Sequence, residues 1–283
     1  MTQLVKADKN LFAVYHTLHS GADTDMMFDW DKRLGDTTWS DDCYFVVENG
    51  KKIGGAVVTD KYVAHAFMIA PFCDRLHFWH TLLKLAPVDA LHGVLDADRD
   101  ILPMFGFKTT KTLQVMCCAA DEKPASLPSG FTCRAFDVKA DAIAAGNVNY
   151  QAHIDGADHR FLEGASAEKA ASELVQLNTT YTTTNLSHVI HDDQNGGGEI
   201  IAFCLSGTGE LFENAYMEVA EIAVLPQYKG RGLGRYMLSR IITQSYGKVA
   251  YVKLCVTIGN PAEHLYRRLG FVAGARFSAM ERG

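Results

Sequence analysis

The chain has 283 residues, 48% hydrophobic and 21% charged, with a formal net charge of −6 and a pI near 6.0. This is the composition of a folded globular protein, and it excludes disordered, collagen-like and supercharged chains. The length suits one large domain or two ordinary ones. The acidic balance argues against nucleic acid or an anionic membrane as a partner, since both call for a basic face.

The N-terminus shows no charged segment leading into an apolar stretch, and no apolar run approaches the roughly 18 residues that cross a bilayer. The cysteines (Cys43, Cys73, Cys117, Cys118, Cys133, Cys204 and Cys255) are odd in number and scattered, without CxxC or Cys/His ligand spacing. They read as reduced thiols, mostly in apolar strands. A cytoplasmic protein without a metal site is expected.

In chain order, Tyr44 to Val58 reads as a hairpin closed by Asn49-Gly50. A strand from Ala64 to Ala70 ends at Pro71, and a helix carrying Leu76, Trp79, His80, Leu82 and Leu83 follows. A strand over Leu91 to Leu95 leads through Met104-Phe105-Gly106-Phe107 into a strand from Thr112 to Cys118. Residues 123–130, Lys-Pro-Ala-Ser-Leu-Pro-Ser-Gly, are rich in turn formers and read as a linker. Beyond it come a strand from Phe131 to Phe136, helices near Ala140 to His153 and Ala167 to Thr180, and strands near Ser187 to His191 and Glu199 to Ser206.

The most informative stretch follows. Met217 to Val224 is a β-rich run ended by Leu225-Pro226. Gln227-Tyr228-Lys229-Gly230-Arg231-Gly232-Leu233-Gly234 is a glycine loop, and Arg235 to Tyr246 is an amphipathic helix. A strand from Val249 to Thr257, an N-cap at Asn260-Pro261, a helix from Ala262 to Leu269 and a strand from Phe271 to Met280 complete the chain. A glycine loop between a strand and a helix aims backbone N–H groups at an anion, so a phosphate or pyrophosphate ligand is predicted.

These residues resemble the GNAT superfamily of N-acetyltransferases. Val224-Leu225-Pro226 supplies the strand end. The pyrophosphate pattern [QR]xxGx[GA] fits literally as Gln227-x-x-Gly230-x-Gly232. In register with the helix it reads Lys229-x-x-Gly232-x-Gly234, with lysine in place of the usual Gln or Arg. Asn260, Leu265-Tyr266 and Gly270-Phe271 match the second signature, with Asn260 six residues before Tyr266 where the family usually has seven. The first half carries an echo of this pattern. Pro71 to Gly106-Phe107 parallels Pro226 to Gly270-Phe271, but spans 35 positions to the glycine rather than 44 and lacks the glycine loop and Leu-Tyr. The resemblance therefore implies an α/β (α+β) chain of two GNAT-like domains, each a mixed, mostly antiparallel twisted sheet flanked by helices. Residues 1–122 form a degenerate copy, 123–130 the linker and 131–283 the catalytic domain.

The same resemblance implies acetyl-CoA as co-substrate, bound by Ile222, Ala223, Val224, Lys229, Gly230, Arg231, Gly232, Leu233, Gly234 and Asn260. A backbone N–H of the strand before the loop would stabilise the oxyanion. Tyr266 is the candidate acid, since a phenol of pKa about 10 can protonate a departing thiolate. Glu218 is the first candidate base and Glu221 the second; strand alternation sets the two on opposite faces. His153 and His159, with Asp155 and Asp158, form either a solvated loop or a cation-binding rim, and Phe161 and Tyr181 either aromatic walls or core. His188 and His191 flank a strand end. The expected acceptor is a small-molecule or peptide amine, and a homodimer stays open. The competing class is a non-catalytic acyl-CoA-binding or regulatory module.

Overall fold

The computed structural model describes all residues except 21–40, 155, 157–165, 194–197 and 209–215. By packing, the chain divides into two compact units: Met1–Val115 with Gly274–Gly283, and Met116–Ala273. These bounds differ from the ranges 1–122 and 131–283 that the resemblance implies.

The first unit is built from β1 (Thr2–Lys6), α1 (Lys9–His19), β2 (Cys43–Glu48), β3 (Lys51–Val58), β4 (Tyr62–Met68), α2 (Arg75–Leu85), β5 (Ala90–Leu95), α3 (Asp96–Arg99) and the start of β6 (Phe107–Ala119). It is joined by most of β13 (Val272–Arg282), giving the strand order β1-β2-β3-β4-β5-β13-β6. Neighbours run antiparallel from β1 to β4, and β4–β5 is parallel. The β2–β3 hairpin turns at Asn49 (φ 50°) and Gly50 (φ 77°), the left-handed pair that matches strand twist. Asp8 caps α1 by accepting the Leu11 N–H at 3.0 Å, and α1 buries Phe12 against Phe45 and Phe67. On the other face, Phe78, Trp79 and Leu82 of α2 pack with Val46, Leu91, Phe107 and Met280. The place of β13 follows from this. Phe277, Ser278 and Met280 lie in register with Leu95, Val94 and Leu91, and Met280 is fully buried in that core.

The second unit contains the end of β6, β7 (Phe131–Ala135), α4 (Val138–His153), α5 (Ala167–Thr179), β8 (Thr184–Asn185), β9 (His188–Asp192), β10 (Ile200–Thr208), β11 (Tyr216–Val224), α6 (Leu233–Ser245), β12 (Tyr251–Thr257), α7 (Ala262–Arg268) and the start of β13. Its order is β6-β12-β11-β10-β9-β7, with β8 on β10; β11–β12 is parallel. Asp137 and Ser166 cap α4 and α5 through their side chains. The core joins Phe203, Leu205, Met217 and Val252 to the α6 residues Met237, Leu238, Ile241 and Ile242. The 123–130 stretch is held against this unit: the Lys123 N–H donates to Thr243 Oγ1 at 3.0 Å and the Lys123 ammonium to the Leu269 carbonyl. The strand pairing within each unit is thus mixed and mostly antiparallel, as expected.

Candidate functional site

The site is built where β11 and β12 part. Their parallel register runs from Tyr216↔Tyr251 to Val219↔Leu254, whereas β11 stays paired with β10 as far as Val224↔Ala202. The cause is local. Val219 faces Ser206 and Glu221 faces Leu205, so Ala220 is an extra residue, a β-bulge that bends β11 away. Leu225 N–H donates to Ile201 O at 2.9 Å. Backbone groups alternate along a strand, so the N–H groups of Ile222 and Val224 face the opposite edge, towards the parted β12, while that of Ala223 faces β10.

At the end of β11 a short 3₁₀ turn, Pro226–Tyr228, leads into the glycine loop. Lys229, Gly230, Arg231 and Gly232 are exposed. Gly232 takes φ +86°, the left-handed region natural to glycine, and serves as the N-cap of α6 without any side-chain capping bond. The first turn of α6 thus offers its N–H groups outward beside Lys229, Arg231 and Arg235, the arrangement that binds anions. Leu233 is buried and anchors the helix start. A Cβ on Gly234 would lie 3.3 Å from Leu265 Cδ2, so the loop sits close against α7, which carries Tyr266.

Tyr266 is 6% exposed, with its ring 5.9 Å from that of Phe271. Asn260 Oδ1 accepts the Ala262 N–H at 2.9 Å and so opens α7; the helix begins with Pro261 as its flanking residue. Glu218 lies in register with Lys253 on β12 and Gly207 on β10. Partners in register share a face, so Glu218 stands beside a buried lysine whose ammonium donates to Tyr216 Oη at 3.0 Å, 4.2 Å above the ring centroid. The bulge also corrects one expectation. Glu218 aligns with Gly207 and Glu221 with Leu205, two positions apart on β10, so the two carboxylates share a face rather than opposing each other.

Other candidates lie elsewhere. His188 is fully buried; its Nδ1 is 3.0 Å from the Leu186 carbonyl, and burial drives its pKa down to about 4. His191 is buried, and Tyr181 is a core residue. His153 Nδ1 is 2.8 Å from the Asn149 carbonyl. Asp155, Asp158, His159 and Phe161 lie outside the described residues. Among the described residues, no group of three or more His, Cys, Asp or Glu is arranged to hold a metal ion, and no helix is long and apolar enough to cross a membrane. Sequence reasoning passed over Lys253, whose one signal is a charged residue inside an apolar strand, and Tyr228, the buried residue of the glycine loop.

The first unit repeats the frame of this site and fills it differently. The β4–β5 parallel register also ends seven residues before the strand's closing proline, at Ala64↔His92. The next residue, His65, again falls within a bulge. His65 has φ +52°, and Gly93 on β5 is so close that a Cβ there would lie 2.7 Å from His65 Nδ1. An imidazole thus stands where the second unit has Ala220. Likewise Asp74 caps α2, its carboxylate accepting the His77 N–H at 2.9 Å, where the second unit has the bare Gly232.

A splayed parallel strand pair, a bulge and a glycine-loop helix start without a side-chain cap together make up the candidate site. Residues 184–273 match the family model described as Acetyltransferase (GNAT) domain. No curated protein sequence matches the chain. Among solved structures, a GCN5-related N-acetyltransferase from Sphaerobacter thermophilus aligns with a TM-score of 0.66 and 18% identity over 99% of this chain and 94% of that one. A tandem GNAT protein from the clavulanic acid biosynthesis pathway gives 0.63 and 12% over 100% and 99%. A GNAT-family acetyltransferase from Colwellia psychrerythraea gives 0.58 and 13% over the whole of both chains. The whole chain therefore has the fold of tandem GNAT proteins, with the match to the GNAT domain model confined to residues 184–273 and the N-terminal copy lacking the glycine loop.

Proposed function

We propose that the chain is an acetyl-CoA-dependent N-acetyltransferase that transfers an acetyl group to a primary amine by direct attack, both substrates being bound together. The observation that carries this reading is the open, uncapped N-terminus of α6 at Gly232, set directly after a strand whose outer edge has lost its β-partner. The N–H groups from Lys229 to Gly234 would take the pyrophosphate of acetyl-CoA, which supplies the thioester-bound acetyl group. Ile222 and Val224 would pair with its pantetheine arm, with Ala223 between them facing β10, and one of their N–H groups would donate to the developing oxyanion. Asn260 would sit at the rim beside α7.

Tyr266 is assigned the proton given to the departing thiolate. Glu218 is assigned to draw the proton from the amine through water. Lys253 is its register neighbour on β12. One acetyl-CoA per chain is proposed, in the second unit, with the acceptor a small-molecule or peptide amine and the protein working in the cytoplasm. The test is thiol release from acetyl-CoA across a panel of amines. Release stimulated by at least one amine, and reduced about 10- to 100-fold in Tyr266→Phe with CoA affinity unchanged, supports the reading. CoA binding without any stimulated release points to a binding module instead.

A further inference from the structure

We propose that Tyr228 and Asp192 form a tether that fixes the glycine loop in its anion-binding shape, making both positioning residues for CoA; this rests on the reading of that loop as the pyrophosphate site. From Pro226 to Gly232 the loop exposes every residue except Tyr228, which is 8% exposed. Its O–H donates to Asp192 Oδ2 at 2.8 Å, across 36 positions of sequence. Asp192 is the last residue of β9, 5% exposed, and is itself held: it faces Phe131 in the β7–β9 register, and the Asp193 N–H next to it donates to the Gly130 carbonyl at 3.0 Å. The Phe131 ring meets the Tyr228 ring edge-on, with centroids 6.2 Å apart. The Arg231 guanidinium lies 5.0 Å from the Tyr228 centroid.

Two physical points give this contact its meaning. Gly230 and Gly232, both at positive φ, leave the loop with more conformational freedom than any other residues would, and freedom lost on binding weakens affinity. A single buried anchor in mid-loop removes that loss in advance. In addition, a carboxylate buried near an anion site opposes anion binding by charge, so its presence there calls for a compensating task. As an ionised acceptor it makes a stronger hydrogen bond than a neutral group. The donor is a neutral phenol, and the ring also supports the one arginine of the loop.

The test is Tyr228→Phe, which keeps the ring against Phe131 and Arg231 and deletes only the O–H. Calorimetric Kd for CoA should rise about tenfold, the worth of one such bond, with KM for acetyl-CoA rising alongside and kcat at saturation within about twofold. Pantetheine, which lacks the pyrophosphate, should inhibit wild type and variant equally. Asp192→Asn keeps an acceptor oxygen and should hold CoA affinity within about threefold of wild type, whereas Asp192→Ala should match Tyr228→Phe. Asp192→Ala also stands in if Tyr228→Phe does not fold. Unchanged CoA affinity in a folded Tyr228→Phe or Asp192→Ala overturns the tether. So does equal weakening of CoA and pantetheine, which marks general damage. Wild-type protein that binds no CoA at all refutes instead the acetyl-CoA reading beneath it.

Discussion

The contrast between Gly232 and Asp74 can be tested by moving one feature into the other unit. Gly232→Asp places a carboxylate at the N-terminus of α6, as Asp74 already does for α2. There is room for the side chain, since a Cβ at 232 would meet only Pro128 Cγ, at 3.7 Å. The left-handed backbone costs a non-glycine residue about 1–2 kcal/mol, although aspartate and asparagine adopt it more readily than most. Gly232→Asn carries nearly the same strain without the charge, so the difference between the two variants isolates electrostatics. A carboxylate ~5 Å from a pyrophosphate bearing about two charges repels it by roughly 1.7 kcal/mol in water and about twice that where water is partly excluded. The Asp variant should therefore bind CoA roughly 15- to 300-fold more weakly than the Asn variant at low salt, the gap narrowing as salt rises. Calorimetry at two ionic strengths measures this, and melting curves confirm that both variants fold. Equal CoA affinity in the Asp and Asn variants would refute the placement of the pyrophosphate at this helix.

The remaining expectations concern stoichiometry and pH. Titration of wild type with CoA should give one site per chain, and Gly232→Asp should weaken that same site, because His65 fills the parted strands of the first unit and Asp74 already caps α2. Two sites per chain, or a site whose affinity Gly232→Asp leaves unchanged, would sink this account of the N-terminal copy. His188 is fully buried with its pKa lowered to about 4. The unfolded chain thus binds the extra proton between about pH 6.5 and the folded value. Stability is full above pH about 6.5 and falls by about 1.4 kcal/mol per pH unit towards pH 4. Urea denaturation of His188→Gln across this range should show a shallower slope by that amount, with His65, also lowered to about 4 by burial, keeping part of it. An unchanged slope would show that His188 is not responsible.

Much of the second unit was legible because its signals are local. Pro226 ends a strand, the glycines turn the chain, Asp137 and Ser166 cap helices, and the apolar face of α6 appears as Met237, Leu238, Ile241 and Ile242. What was not legible depends on pairings across the sheet. The bulge at Ala220 is a property of β10 and β11 together, and no alternation within Tyr216–Val224 reveals it; it alone brings Glu218 and Glu221 to one face. The same holds for β13, whose place beside β5 rests on Met280 reaching a core assembled from residues near the other end of the chain.

The two units make the physical point more sharply than either does alone. Both carry the bulge, the parted parallel pair and the closing proline at matching spacing, so the same backbone frame is present twice. Beyond the missing glycine loop, two side chains differ within this frame: His65 against Ala220, and Asp74 against Gly232. Each change replaces space or an open N–H with a group of the chain's own. A frame of this kind specifies where a ligand would lie, and whether it binds is decided by what the chain leaves out. That accords with a sequence signal for function that sits in glycines, and with the proposed Tyr228–Asp192 tether lying in the second unit, where the loop is open.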